Sequence, residues 1–209
     1  VTRNSGQSWE DSSFGLGEDN VLALASSPDW SEREILFAAT TEGVFVSRNG
    51  GRAWRETELM LDEDVIDVLA VSPDFDQDHT VYAGTENGSL YLSEDGGRTW
   101  DLLQEHIGDG PVNSLWLAPD FPSSGHMLAG VGSKVYVSDD RGETWTSGID
   151  LPGEVGGLVP DEKWACMQAS HSPCSSHCFV QGQLGFLRLF RSITSLPVIH
   201  TTSRAGVWS

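Results

Sequence analysis

Through most of the chain, short apolar runs alternate with brief polar breaks, and the alternation recurs at a fixed interval. Val21 to Ala25, Ile35 to Ala39 and Val44 to Val46 form one set of runs. Val65 to Val71, Thr80 to Gly84 and Ser89 to Leu92 form the next, and Val112 to Ala118, His126 to Gly130 and Lys134 to Val137 the third. Runs this short, rich in Val, Leu and Ala and bounded by turn residues, predict β-strands. Between the first and second run of each set stands Ser27-Pro28-Asp29, Ser72-Pro73-Asp74 or Ala118-Pro119-Asp120. Proline cannot continue a ladder, so each of these predicts the end of a strand and the start of a turn. Thr41-Glu42-Gly43 and Glu86-Asn87-Gly88 predict tight turns between the second and third strands.

An octet closes each set. Ser47 to Trp54 reads SRNGGRAW, Ser93 to Trp100 reads SEDGGRTW and Ser138 to Trp145 reads SDDRGETW, and Thr2 to Trp9, TRNSGQSW, is a further copy. The tryptophans at 9, 54, 100 and 145 are spaced by 45, 46 and 45 residues, a period that marks a repeat architecture. The shared positions have a local explanation. Asn4, Asn49, Asp95 and Asp140 are short acceptors suited to an Asx-turn, and Gly6, Gly51, Gly97 and Gly142 follow where a hairpin needs positive φ. The tryptophan then opens a fourth strand and offers a large ring for burial. Four strands per period predict an all-β propeller of four-stranded antiparallel blades.

The octet resembles the Asp-box, or BNR repeat, of the sialidase-like β-propellers, a superfamily that includes sortilin-type receptors and xyloglucan-cleaving glycosidases. The resemblance covers residues 1 to about 150. It implies that the box joins the third and fourth strands of a blade and is structural. That role would fall to Thr2, Asn4, Gly6 and Trp9, to Ser47, Asn49, Gly51 and Trp54, to Ser93, Asp95, Gly97 and Trp100, and to Ser138, Asp140, Gly142 and Trp145. It also implies an extracellular or cell-envelope location, although no signal peptide opens the chain. It selects no function, because its members do different things on one scaffold.

About three complete blades and a leading fourth strand predict an incomplete, open propeller. After Trp145 the pattern fails. The next Pro-Asp pair, Pro160-Asp161, arrives after 15 residues instead of 19, and no further box follows. Residues 1–150 hold 28 acidic and 8 basic side chains, a net of −20, whereas 151–209 hold 3 and 4, a net of +1. The expected division is therefore a propeller region over 1–150 and an atypical segment over 151–209. A degenerate blade, a fused segment or a reading-frame change would each account for the latter. Leu184 to Phe190 and Pro197 to Thr201 are compatible with strands off the period, and residues 165–183 receive no assignment.

The acidic balance disfavours nucleic acid and anionic lipid, and no apolar run is long enough to insert into a membrane. By the family's strand order, one rim carries the boxes and the other carries the links between blades. Ligand sites in the superfamily tend to use the second rim. There stand Glu42, Asp62, Asp64, Glu86, Glu105 and Asp109, with Glu18, Asp19 and Glu63 in the same links. Recognition of a protein or glycan by this rim is the favoured reading, without catalysis, metal or cofactor. The alternative is a glycoside hydrolase acting on neutral polysaccharide, which needs a facing carboxylate pair. A sialidase is excluded by its missing Arg-Ile-Pro stretch and by arginines that lie in or beside boxes: Arg3, Arg48, Arg52, Arg55, Arg98 and Arg141. Asp74, Asp76 and Asp78 open like a calcium loop but lack its glycine and distal glutamate. Cys166, His171, Cys174, His177 and Cys178 fit no zinc spacing.

Overall fold

The computed structural model describes residues 1–2, 4–16, 20–59, 61, 64–151, 153–160, 176–182 and 185–191. Its architecture is a succession of antiparallel meanders. The first sheet has strand order β1 (Val21–Ser26), β2 (Leu36–Thr40), β3 (Val44–Ser47) and β4 (Arg55–Glu56). The second repeats it with β5 (Ile66–Val71), β6 (Val81–Thr85), β7 (Leu90–Ser93) and β8 (Asp101–Gln104). The third has β9 (Val112–Leu117), β10 (Met127–Val131), β11 (Lys134–Ser138) and β12 (Thr146–Asp150). The octets at 47–54, 93–100 and 138–145 each join the third and fourth strands of their sheet.

Two features differ from the expectation. The Pro-Asp segments do not end as turns. Each winds into a single helical turn: α1 (Trp30–Arg33), α2 (Phe75–Asp78) and α3 (Phe121–Ser124). Each turn is closed by a residue in the left-handed region, Glu34, His79 or Gly125. Sequence alone hides this, because four residues are too few to show helical periodicity. Beyond the third sheet, β13 (Val155–Pro160), β14 (Ser176–Gly182) and β15 (Gly185–Arg191) form a three-stranded meander. β14 runs through residues left unassigned by the repeat pattern. Its Phe179-Val180 centre is too short to stand out without a flanking box.

Adjacent sheets meet through their first strands, since β5 lies beside β1 and β9, and β9 beside β13. Among the described residues the sheets do not close into a ring. Between the first two lies a core of Phe37, Ala39, Val44, Ile66, Leu69, Phe75 and Val81. Between the second and third lies its counterpart, with Tyr82, Leu90, Val112, Phe121 and Met127. The ladder register makes Phe37 and Tyr82 equivalent, since Phe37 pairs with Val46 and Tyr82 with Leu92. Each ring reaches across to the helical turn of the next sheet. Phe37 meets Phe75 edge-on at 5.8 Å, and Tyr82 meets Phe121 at 5.9 Å. One aromatic pair thus fastens each of the first two interfaces.

Candidate functional site

The boxes at 47–54, 93–100 and 138–145 lie at the strand ends opposite the turns between second and third strands. In all four boxes, the first residue's hydroxyl donates to the Asx side chain and accepts from the glycine N–H: Thr2, Ser47, Ser93 and Ser138 serve Gly6, Gly51, Gly97 and Gly142 at 2.8–2.9 Å. The Asx oxygen accepts the backbone N–H four residues on, from Ser8, Ala53, Thr99 and Thr144. Two successive residues take positive φ in each box, as in Gly96 (73°) and Gly97 (80°), or Arg141 (61°) and Gly142 (88°). The hydroxyl, the Asx oxygen and the glycine N–H thereby satisfy one another within the turn. Partial burial pushes the Asp95 carboxyl up, but hydrogen bonds from Thr99, Ser93 and Arg98 outweigh it and hold it at about 2. Hydrogen bonds from Thr144 likewise hold Asp140 below the usual carboxylate range. Both carboxylates are engaged by hydrogen bonds within their own turns.

The boxes also couple blades. Arg48 Nη2 donates to the Gly96 carbonyl at 3.0 Å, and the Tyr82 hydroxyl donates to the equivalent carbonyl of Arg141 at 2.9 Å. Trp54, Trp100 and Trp145 are half-buried, while Trp9 stands exposed.

The opposite rim assembles around the second sheet. Asp64 Oδ1 accepts the N–H groups of Val65 (2.9 Å) and Asn87 (3.2 Å), pinning the incoming link to the turn that carries Glu86. The following link folds onto the same turn, with Ile107 N–H donating to the Gly88 carbonyl and Ser89 Oγ to the Glu105 carbonyl. Asp109 lies further along this link, where Gly132 packs against its carbonyl. Glu42 stands exposed on the matching turn of the first sheet. Asp62, Glu63, Glu18 and Asp19 lie outside the described residues, as do Cys166, His171 and Cys174.

One group of residues escaped the repeat pattern. The register slips once at the start of each first strand, between Val21 and Ala23, Ile66 and Val68, beside Val112, and between Val155 and Gly157. The residues at or beside these bulges are Leu22, Asp67, Asn113 and Gly156. A bulge re-aims its side chain, and here it turns Asp67 and Asn113 into a hollow of about 370 Å³ that Glu154 and Gly156 also line. Burial raises the Asp67 carboxyl above its ordinary value, and the charges of Glu86 and Asp64 raise it further. The signal was present in the sequence as a polar residue one place into a strand otherwise apolar. A broader hollow of about 820 Å³ lies by the first two boxes, between Val1, the segment from Glu10 to Phe14, and Arg52.

The calcium-like triplet is dispersed into structural roles. Arg33 binds Asp76 across the first blade interface, and Asp78 accepts the Ser72 hydroxyl (2.6 Å) and the Thr80 N–H (3.0 Å). Among the described residues no three His, Cys, Asp or Glu side chains converge as metal ligands, and no helix is long and apolar enough to cross a membrane.

The family profile described as Sortilin-Vps10 (sortilin, neurotensin receptor 3) matches residues 1–109, more than half of the chain. The chain belongs to the Sortilin-Vps10 family. A BNR/Asp-box repeat profile matches residues 136–147, over the last box. No curated protein matches in sequence. Among solved structures, an ancestral GH74 enzyme superposes with a TM-score of 0.61 at 18% identity, covering 84% of this chain and 23% of that one. The WD40 propeller domain of Doa1 gives 0.61 at 15%, covering 84% and 52%. The GH74 xyloglucanase from Xanthomonas campestris gives 0.57 at 15%, covering 78% and 27%. At these identities the likeness concerns the propeller fold. This member of the Sortilin-Vps10 family spans from about a quarter to about half the length of those chains.

Proposed function

We propose that this chain is a non-catalytic recognition module, and that it binds a cationic segment of a protein on the rim opposite the Asp-boxes. One observation carries the reading: bulges on the first strands aim Asp67 and Asn113 into a shared hollow beside Glu154, with Asp64 and Glu86 close enough to raise the Asp67 carboxyl. Like charges held together favour a cationic ligand, which would relieve their repulsion. The family's description names a receptor, which agrees with recognition by such a surface. A glycan is less suited, because sugars bind through stacked aromatic rings as well as carboxylates, and the described residues lining the hollow, Asp67, Asn113, Glu154 and Gly156, include no aromatic ring.

A second reading, glycoside hydrolysis, has its own support. A carboxyl with a raised pKa is what a general acid requires, and two of the solved structures above are GH74 proteins. The two readings separate in one set of assays with the full chain. Binding of a labelled oligolysine is followed by fluorescence anisotropy at low and high salt, and xyloglucan hydrolysis by reducing-sugar release. Recognition predicts affinity that falls roughly tenfold or more as salt screens the rim. It also predicts a loss in Asp67→Asn/Glu86→Gln, with no loss in the box-side control Glu94→Gln/Glu143→Gln. Salt-independent binding, or equal effects of the two double variants, defeats recognition. Sugar release abolished by Asp67→Asn would establish the hydrolase instead.

A further inference from the structure

Residues 1–150 carry 28 acidic side chains and only 8 basic ones, yet three of the eight gather at one seam. Arg48 is the second residue of the box at 47–54, Arg98 the sixth of the box at 93–100, and Arg55 opens β4. The backbone brings them together. Arg55 pairs with Val46, whose side chain belongs to the core between the first two sheets, and cross-strand partners share a face. Glu58, three residues on, donates its N–H to the Arg98 carbonyl at 2.9 Å and bridges to Thr99. From the other side Arg48 Nη2 donates to the Gly96 carbonyl at 3.0 Å. Burial lowers the Arg48 pKa, and the charges of Arg98 and Arg55 lower it further against the opposing pull of Asp95.

The fold itself does not demand arginine at these positions. At the second interface the equivalent three are Glu94, Glu143 and Asp101, and Tyr82 makes the tie to the next box. Register fixes the equivalence, since Asp101 pairs with Leu92 as Arg55 pairs with Val46. Nor are the arginines neutralised by neighbours. The Asp95 carboxylate is taken up by Ser93, Thr99 and the Arg98 N–H within its own box. Among the described residues the Arg55 and Arg98 side chains make no hydrogen bond or ion pair, and Arg48 makes only its bond to Gly96. A guanidinium has five N–H donors, so most of the donors at this seam are unspent.

We propose that Arg48, Arg55 and Arg98 form an anion site at the seam of the first two sheets, on the box side, and that it takes one small tetrahedral oxyanion, a phosphate or sulfate group. Guanidinium forks match the oxygens of such a group, and a dianion relieves the crowding of three cations. A compact ligand is favoured over a polyanion, because the chain's net charge of −19 repels an extended anionic polymer. The site is separate from the acidic rim opposite the boxes and does not depend on the recognition reading.

The test follows the arginine Nε–H resonances of the full chain by NMR as inorganic phosphate replaces chloride at constant ionic strength. The Arg48, Arg55 and Arg98 signals should shift along a saturable curve with Kd of about 1 mM or below. Arg33 and Arg52, each already paired with a carboxylate, should stay in place. Phenyl phosphate is titrated alongside: tighter binding than inorganic phosphate assigns the site to an esterified group, weaker binding to the free ion, and both uphold it. Arg55→Asp/Arg98→Glu copies the residues of the second interface and should weaken phosphate about tenfold or more. Arg52→Gln and Asp67→Asn/Glu86→Gln should leave its affinity unchanged. The titration of the unmodified chain stands even if a variant does not fold. The proposal is overturned if the shifts grow without saturation, if Arg33 and Arg52 shift as much, or if the charge-reversal variant binds phosphate as the parent does. It is also overturned if a heparin tetrasaccharide binds the same arginines more than about tenfold tighter than phosphate, which would mark a surface for polyanions.

Discussion

Gly97→Ala probes how the boxes hold successive blades together. Gly97 has φ of 80°, and a methyl group placed there would stand 2.6 Å from Cε1 of Phe37 in the preceding sheet. Gly51 occupies the same box position with φ of 79°, but its methyl group would meet only ordinary contacts at 3.4 Å, to Leu36, Ser12 and Val1. The two substitutions share the cost of a left-handed alanine, about 1–2 kcal/mol. Gly97→Ala adds overpacking against a fully buried ring that is itself fixed edge-on to Phe75, about 1–3 kcal/mol more. In a chain of this size each kcal/mol lowers Tm by about 2–4 °C. Gly97→Ala should therefore melt about 4–20 °C below the parent and Gly51→Ala about 2–8 °C below, read by circular dichroism with urea unfolding as a check. Adding Phe37→Leu should recover part of the Gly97→Ala loss and none of the Gly51→Ala loss. Equal destabilisation by the two glycine variants would refute the idea that the second box is docked on the first sheet.

Other consequences follow from the same contacts. Tyr82→Phe should fold and lose about 1 kcal/mol, since it removes the bond to the Arg141 carbonyl while the equivalent Phe37 manages without one; a loss above about 3 kcal/mol in urea unfolding would contradict this. The depressed Asp95 carboxyl stabilises the fold above its ordinary value of 3.8, and that contribution is lost as pH falls towards about 2. Asp95→Asn should thus flatten the acid limb of the Tm–pH curve, and an unchanged limb would show that the box carboxylate is not the titrating group. Asp67 has the opposite sign. Raised in the fold, it opposes stability as pH rises through and above its ordinary 3.8, so Asp67→Asn should raise Tm slightly at pH 7 and leave it unchanged near pH 3. Arg33→Met should cost about 1–3 kcal/mol, because the Asp29 and Asp76 oxygens that face the half-exposed guanidinium are themselves shielded from solvent and would lose their partner; a double-mutant cycle with Asp76→Asn that showed no coupling would contradict this.

The blades were legible in the sequence because the box is a local device. A hydroxyl, an Asx acceptor and a glycine satisfy one another within eight residues, so their spacing alone announces them. Strands beside the boxes were equally plain, since alternation and proline punctuation bracket each one. The helical turns at Trp30, Phe75 and Phe121 were not, because one turn has no period to read. The candidate site was half visible. Its loop acids could be placed on a rim from strand order, yet Asp67 and Asn113 enter it through bulges, and one polar residue near the start of an apolar run does not by itself reveal a register slip. Leu184 to Phe190 read as strand-compatible and coincide with β15, but its pairing with β13 and β14 could not be read: without a box, nothing ties short apolar runs to a common register. We propose a domain boundary in the short gap between β12 and β13, at the point where the acidic composition ends.

The claim that the rim opposite the boxes is the recognition surface is tested most directly by a hydrogen-exchange footprint of the full chain, with and without saturating oligolysine. The account predicts slowed exchange over residues 64–67, 86–88 and 105–113, with the boxes at 47–54, 93–100 and 138–145 unchanged. Protection confined to the boxes, or to the hollow beside Phe14 and Arg52, would contradict it.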